Sequence, residues 1–205
     1  MSDTSSMTDL HTPLTLVLGG TKSGKSAYAE HRVMQRGGRT LYIATADTSQ
    51  NDPSMERRIA VHRARRPDDW ATLEAPYNVG EDFLNFPQHE EFDTILLDCI
   101  TLWTTNLLFM DEPIDPVAFE NRVKERVSQL IDIMRRGKAH WVVVSGEVGL
   151  GGTHSTALER TFCDGLGLAN QLLSQAAEEA YLVVASRPLR LPPPDSAVLD
   201  NYLLN

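Results

Sequence analysis

Short apolar runs alternate along the chain with longer segments of helical character. Leu14–Leu18, Thr40–Ala44, Phe92–Asp98, His140–Ser145 and Tyr181–Ala185 are mostly apolar, and Trp70–Glu74 is a shorter run. Continuous apolar runs of this length, bounded by glycine or polar residues, predict strands buried on both faces. Between them the sequence predicts helices over Lys25–Arg36, Asn78–Phe86, Leu102–Met110 and Thr156–Glu178. A long amphipathic helix is also predicted from Pro116 to about Arg136. Gly37-Gly38 suits the left-handed stop of the first helix. Strand–helix alternation with fully apolar strands implies an α/β fold, a mostly parallel sheet with helices on both faces. The expected division is one domain over residues 14–190, a loose polar tail over 1–13 and an irregular tail over 191–205 that contains Pro192-Pro193-Pro194.

The first strand meets the first helix through an unusual connection. Gly19-Gly20-Thr21-Lys22-Ser23-Gly24-Lys25-Ser26 has the spacing of a phosphate-binding P-loop: a glycine, four residues, then Gly-Lys-Ser. In such a loop backbone N–H groups ring the phosphates, Lys25 reaches the β/γ oxygens and Ser26 ligates Mg²⁺. The helix that follows adds its dipole and its unpaired N–H groups. A Gly/Ser-rich turn could arise for other reasons, but the strand–loop–helix context favours the phosphate site. The run ending in Asp98 supplies the second half of the signature, a carboxylate at a strand terminus able to hold Mg²⁺ directly or through water. A P-loop NTPase of the RecA-like kind is the expected fold. Thr45-Ala46-Asp47, at the end of another strand, is a candidate nucleotide contact, and a plain connection fits equally well. Gly146–Gly152 reads as a second edge to the site or as a simple linker.

Composition narrows the function. With 205 residues, 41% hydrophobic and 23% charged, the chain is ordinary for a globular protein. Its net charge of −9 argues against general affinity for nucleic acid or anionic membranes. Against that background five arginines fall within ten positions, Arg57, Arg58, Arg63, Arg65 and Arg66, with His62 among them. On a helix Arg58, His62 and Arg65 share a face. Guanidinium groups pair phosphate oxygens bidentately, so this density suits a polyphosphate, with His62 a catalytic candidate. Cys99 and Cys163 have no pairing or metal-ligand spacing, as expected of a cytoplasmic protein. Neither a secretory leader nor an apolar run long enough to span a bilayer is evident.

Leu16–Ser26, Tyr42-Ile43-Ala44-Thr45, Arg58–Pro67 with Trp70 and Glu74, Leu96–Thr101 with Thr105–Leu108, and Ser145–Gly149 occur in the order of a known family. The chain resembles the bifunctional adenosylcobinamide kinase/adenosylcobinamide-phosphate guanylyltransferase of cobalamin biosynthesis. Arg-Ile-x-x-His-Arg-x-x-Arg-Pro is the most specific piece of that likeness. The resemblance implies phosphorylation of adenosylcobinamide by ATP or GTP, then transfer of GMP from GTP through a GMP-histidine intermediate, with Mg²⁺ as cofactor and a trimeric assembly. It implies that His62 is the nucleophile and Lys25 the catalytic lysine. It places Gly19, Gly20, Thr21, Lys22, Ser23, Gly24, Lys25, Ser26, Thr45, Ala46, Asp47, Arg63, Ala64, Arg65, Arg66, Glu74 and Asp98 at the nucleotide, with Ser26 and Asp98 at the metal. The chain departs from the family pattern at Gly146 (usually Asn), at Gly151–His154 (usually Gly-Ile-Val-Pro), at Cys163 (usually Arg) and over Ser186–Leu189. These departures bear on the acceptor side more than on nucleotide chemistry. A simple small-molecule kinase, or a nucleotide-binding module that has lost a half-reaction, stays open on the residues alone.

Overall fold

The computed structural model describes residues 12–48, 57, 59–61, 63–151 and 155–195. Most of the expected terminal tails, Arg58, His62 and the departures at Gly152–His154 lie outside the described residues. In chain order the elements are β1 (Leu14–Gly19), α1 (Lys25–Arg36), β2 (Thr40–Ala44), β3 (Ala71–Glu74), α2 (Val79–Asn85), β4 (Thr94–Asp98), α3 (Ile100–Leu108), α4 (Pro116–Arg136), β5 (His140–Gly146), α5 (Ala157–Ala176), β6 (Glu179–Val184) and β7 (Arg187–Leu191). Short 3-10 turns occur at His89–Glu91 and Gly149–Gly151. Arg57, Ile59–Val61 and Arg63 are helical, and Ala64 N donates to Ala60 O at 3.0 Å.

One sheet runs β3-β2-β4-β5-β1-β6-β7. Every pairing is parallel except β6 with β7. β5 separates the strand that leads into the phosphate loop, β1, from the strand that ends in the carboxylate, β4, which is the RecA-like arrangement. Strand side chains alternate between faces, and here the alternation sorts two cores. Leu16, Leu18, Ile95, Leu97, Trp141 and Val143 pack against Trp103, Phe119 and Leu166 of α3, α4 and α5. Val17, Tyr42, Leu96, Val142 and Val144 pack on the other face against Ala29 and Val33 of α1.

Local chemistry fixes the helix ends. Asp115 accepts from Val117 N and Ala118 N at 2.9 and 3.2 Å, with Pro116 at the first helical position of α4. Thr156 and Glu159 form a reciprocal capping box at α5, and those hydrogen bonds hold the Glu159 carboxyl below its usual range. Gly37, at φ +70°, donates to Val33 O at 3.2 Å and closes α1.

The sequence predicts a sheet whose last strand closes at Ala185, but a further strand follows: β7 pairs antiparallel with β6 from Arg187 to Leu191. The turn joining them places Ala185 and Ser186 at φ 48° and 63°, positions where glycine or asparagine would ordinarily mark a hairpin. Pro188 sits on this outermost strand, where a missing N–H is tolerated. Boundaries elsewhere shift by about two residues, as at α3, which starts at Ile100.

Two glycines of α5 make opposite predictions. A Cβ at Gly165 would lie 2.7 Å from Phe119 Cζ and closer still to Cε1, whereas one at Gly167 would meet nothing within 4 Å. Phe119 is 2% exposed and has no room to yield. Overpacking costs about 1–3 kcal/mol and helix propensity returns about 1 kcal/mol. Gly165→Ala is therefore expected to lower the urea midpoint and Gly167→Ala to raise it. Equal shifts of the same sign would contradict close α4–α5 packing at Phe119.

Candidate functional site

The C-terminal ends of β1, β2, β4 and β5 open into a cleft of about 1090 Å³. Its floor is the loop after β1. Gly19 is fixed there by close approach, since a Cβ would stand 2.5 Å from Ser23 Oγ and 2.7 Å from Val183 O. Gly24 has φ +96°, a left-handed conformation that disfavours a side chain, and packs on Ser186. Ser186 N donates to Ser23 O at 2.7 Å, so the β6–β7 turn braces the loop from outside. Lys25 Nζ reaches back to Gly20 O at 3.2 Å. The first turn of α1 carries neither a side-chain cap nor an acidic residue, leaving its N–H groups available to an anion. Ser23 Oγ is buried without a hydrogen-bond partner among the described residues, a donor suited to a ligand oxygen.

Face alternation decides which strand-end residues reach the cleft. Asp98 shares the α1 face with Leu96, and Ser26 Oγ donates to its Oδ1 at 3.4 Å. The Tyr42 hydroxyl, from the neighbouring strand, lies 3.4 Å from Asp98 Oδ2. Burial, and then the Asp98 carboxylate, push the Tyr42 phenol well above its usual range, so it stays protonated and donates. Cys99 also lines the cleft, but burial first and Asp98 second push its thiol up to about 11. It is neutral near pH 7 and unsuited to nucleophilic attack.

A second wall comes from the arginine segment. Arg57, Ile59, Val61, Arg65 and Arg66 line the cleft. Arg65 Nη2 lies 3.5 Å from Glu30 Oε1 on α1, and the Arg66 guanidinium carbon lies 3.6 Å from the centre of the Tyr42 ring. Gly146, Glu147 and Val148 form a third wall. Glu147 N donates to Gly19 O at 3.1 Å and Gly146 N to Thr101 Oγ1 at 2.6 Å. A Cβ at position 146 would stand 2.7 Å from that hydroxyl, so glycine and Thr101 are matched here.

Of the residues anticipated from sequence, Gly19, Thr21, Lys22, Ser23, Gly24, Lys25, Ser26, Ala46, Arg65, Arg66, Glu74 and Asp98 line the cleft together. Gly20, Thr45, Asp47, Arg63 and Ala64 are not among its lining residues. The Thr45 hydroxyl donates to Cys99 O at 2.7 Å and accepts from Cys99 N at 2.9 Å, welding β2 to β4. Asp47 accepts from the Tyr77 hydroxyl at 2.7 Å. Ala44, Ala46 and Thr48 face the cleft while the residues between them turn away, continuing the two-residue alternation of β2. Tyr42, Glu30 and Thr101 are site residues not anticipated from the sequence. The alternation could have placed Tyr42, but no local signal marks the other two.

The donor set suits a small hard cation. Ser26 and Asp98 offer a hydroxyl and a carboxylate oxygen at one corner of the loop, the few protein oxygens that Mg²⁺ takes when phosphates and water complete its shell. Among the described residues no group of three or more His, Cys, Asp or Glu side chains converges as an all-protein cage would require. None of the described helices is long and apolar enough to cross a membrane.

The chain is similar over most of its length to known proteins. The bifunctional adenosylcobalamin biosynthesis protein CobP of Pseudomonas aeruginosa is 36% identical over 176 residues, covering 86% of this chain and 95% of its own. The corresponding CobU proteins of Escherichia coli and Salmonella typhimurium are 36% and 38% identical over 176 residues, each covering 83% of this chain and 94% of its own. A looser likeness, TM-score 0.45 at 11% identity over 84% of this chain and 71% of the other, is to the flagellar accessory protein FlaH of Methanocaldococcus jannaschii. The model of the family described as cobinamide kinase / cobinamide phosphate guanyltransferase matches residues 15–191, nearly the whole sheet, and the chain belongs to that family.

Proposed function

We propose that the chain phosphorylates adenosylcobinamide at the hydroxyl of its aminopropanol arm and then transfers GMP from GTP to the new phosphate, through a covalent intermediate on His62. The observation that carries this reading is the convergence of the phosphate loop, Asp98, Arg65 and Arg66 on one cleft. A kinase needs only the first two. The arginine wall, in a chain of net charge −9, argues for handling more phosphate charge than one γ-phosphoryl transfer brings.

In the first half-reaction the loop N–H groups and Lys25 hold the triphosphate while the acceptor hydroxyl displaces nucleoside diphosphate from the γ-phosphorus. Ser26 and Asp98 would hold a Mg²⁺ ion, which would supply positive charge against the phosphate oxygens. In the second, a neutral His62 imidazole attacks the α-phosphorus of GTP. An N–P bond forms, the α–β anhydride breaks and pyrophosphate leaves. Arg65 and Arg66 offset the charge that grows on the leaving group. The acceptor phosphate then displaces the imidazole, giving adenosylcobinamide-GDP. Val61, which precedes His62 in sequence, lines the same cleft as the loop, and this supports the assignment.

With Mg²⁺ and GTP labelled at the α-phosphate, the denatured chain is expected to retain acid-labile, base-stable label. His62→Ala is expected to abolish it without changing the circular dichroism spectrum. Label surviving that substitution would move the nucleophile elsewhere, and a wild type that takes no label would leave a simple kinase.

For the first half-reaction, Lys25→Ala is expected to lower phosphorylation of adenosylcobinamide by at least about 100-fold, the scale of a lost transition-state donor. Unchanged turnover would refute the role given to the loop.

A further inference from the structure

Arg65 and Arg66 are adjacent in sequence but are gripped by two different elements. Beneath Arg65 lies Glu30, 3% exposed, in α1. Under Arg66 lies the ring of Tyr42, 5% exposed, in β2, at a distance that makes a close cation–π contact. Glu30 adjoins Ala29 and lies three residues before Val33, both core positions, where an apolar residue would satisfy packing. A carboxylate buried there is costly unless a cation compensates it, and it sits on the helix whose N-terminus must receive a polyphosphate. Arg65 contributes to that compensation through an ion pair, Nη2 to Oε1 at 3.5 Å. Its side chain is 41% exposed, so the ion pair holds the guanidinium at the cleft rather than sealing it from solvent. The backbone between is tight: Arg66 N donates to Arg63 O at 3.3 Å, and Pro67 follows.

We propose that Glu30 and Tyr42 are positioning residues, a two-point seat that fixes Arg65 and Arg66 at the cleft. Through them the seat holds the preceding arginine segment, which carries His62, in register with the triphosphate. The link to His62 rests on the reading given under Proposed function, but the seat itself requires only that a nucleoside triphosphate enters the cleft. A Glu30 that acted as an isolated buried charge would repel that ligand, and its neutralisation would tighten binding. A Glu30 that acts by holding Arg65 gives the opposite sign.

The test is a pair of double-mutant cycles on the full chain, read as affinity for the α,β-methylene analogue of GTP with Mg²⁺ by titration calorimetry. Glu30→Gln and Arg65→Ala are each expected to weaken binding about tenfold, and the double variant no more than about threefold beyond either, the signature of coupled residues. Tyr42→Leu with Arg66→Ala is expected to behave alike, and it decides the matter by itself if Glu30→Gln does not fold. Losses that multiply to about a hundredfold in the double variants, or tighter binding by Glu30→Gln, would overturn the seat. A wild type that binds the analogue yet takes no label from GTP would defeat the transfer reading alone, and the cycles would still decide the seat.

Discussion

Strands β1 to β6 run in one direction, so their carboxyl ends lie along a single edge of the sheet. Both faces of β1, β2, β4 and β5 are buried, and polar groups are thereby driven to the strand ends. The edge where β1, β2, β4 and β5 terminate gathers the loop glycines, Lys25, Asp98 and the Gly146 turn, which are distant in sequence. The chemistry of the protein follows from this geometric constraint more than from any single contact.

The alternation that divides the two cores also chooses the side chains at that edge. Asp98 meets Ser26 because it lies an even number of residues from Leu96, whereas Thr45, one residue past Ala44, turns to the opposite face and is consumed in joining β2 to β4. Asn106 completes that joint, donating to both Thr45 O and Pro76 O at 2.8 Å. The Thr45 segment thus shapes the cleft by tying its strands together, while its small neighbours Ala44 and Ala46 line it.

What was legible in the sequence has a common physical origin: it was local. The Gly24-Lys25 boundary and the paired glycines after Arg36 mark α1 to the residue, and the apolar run closing on Asp98 marks β4. What escaped depends on pairs remote in the chain. The β6–β7 turn lacks the residues that ordinarily announce a hairpin, and is held by Ser23, 163 positions earlier. Glu30 reads as one more polar residue of an amphipathic helix until Arg65 is found above it. The departure at Gly146 is likewise intelligible only beside Thr101, whose hydroxyl occupies the space a Cβ would need.

The position of β1 in the sheet has a consequence for how the fold is built. Its two neighbours are β5 and β6, more than a hundred residues downstream, so β1 has no partner until that length of chain has followed it. Closing such distant pairings is entropically demanding and slow. The nucleotide cradle is therefore among the later parts to be secured, and a chain interrupted before the β6–β7 hairpin would carry the complete phosphate signature without the brace that gives it shape.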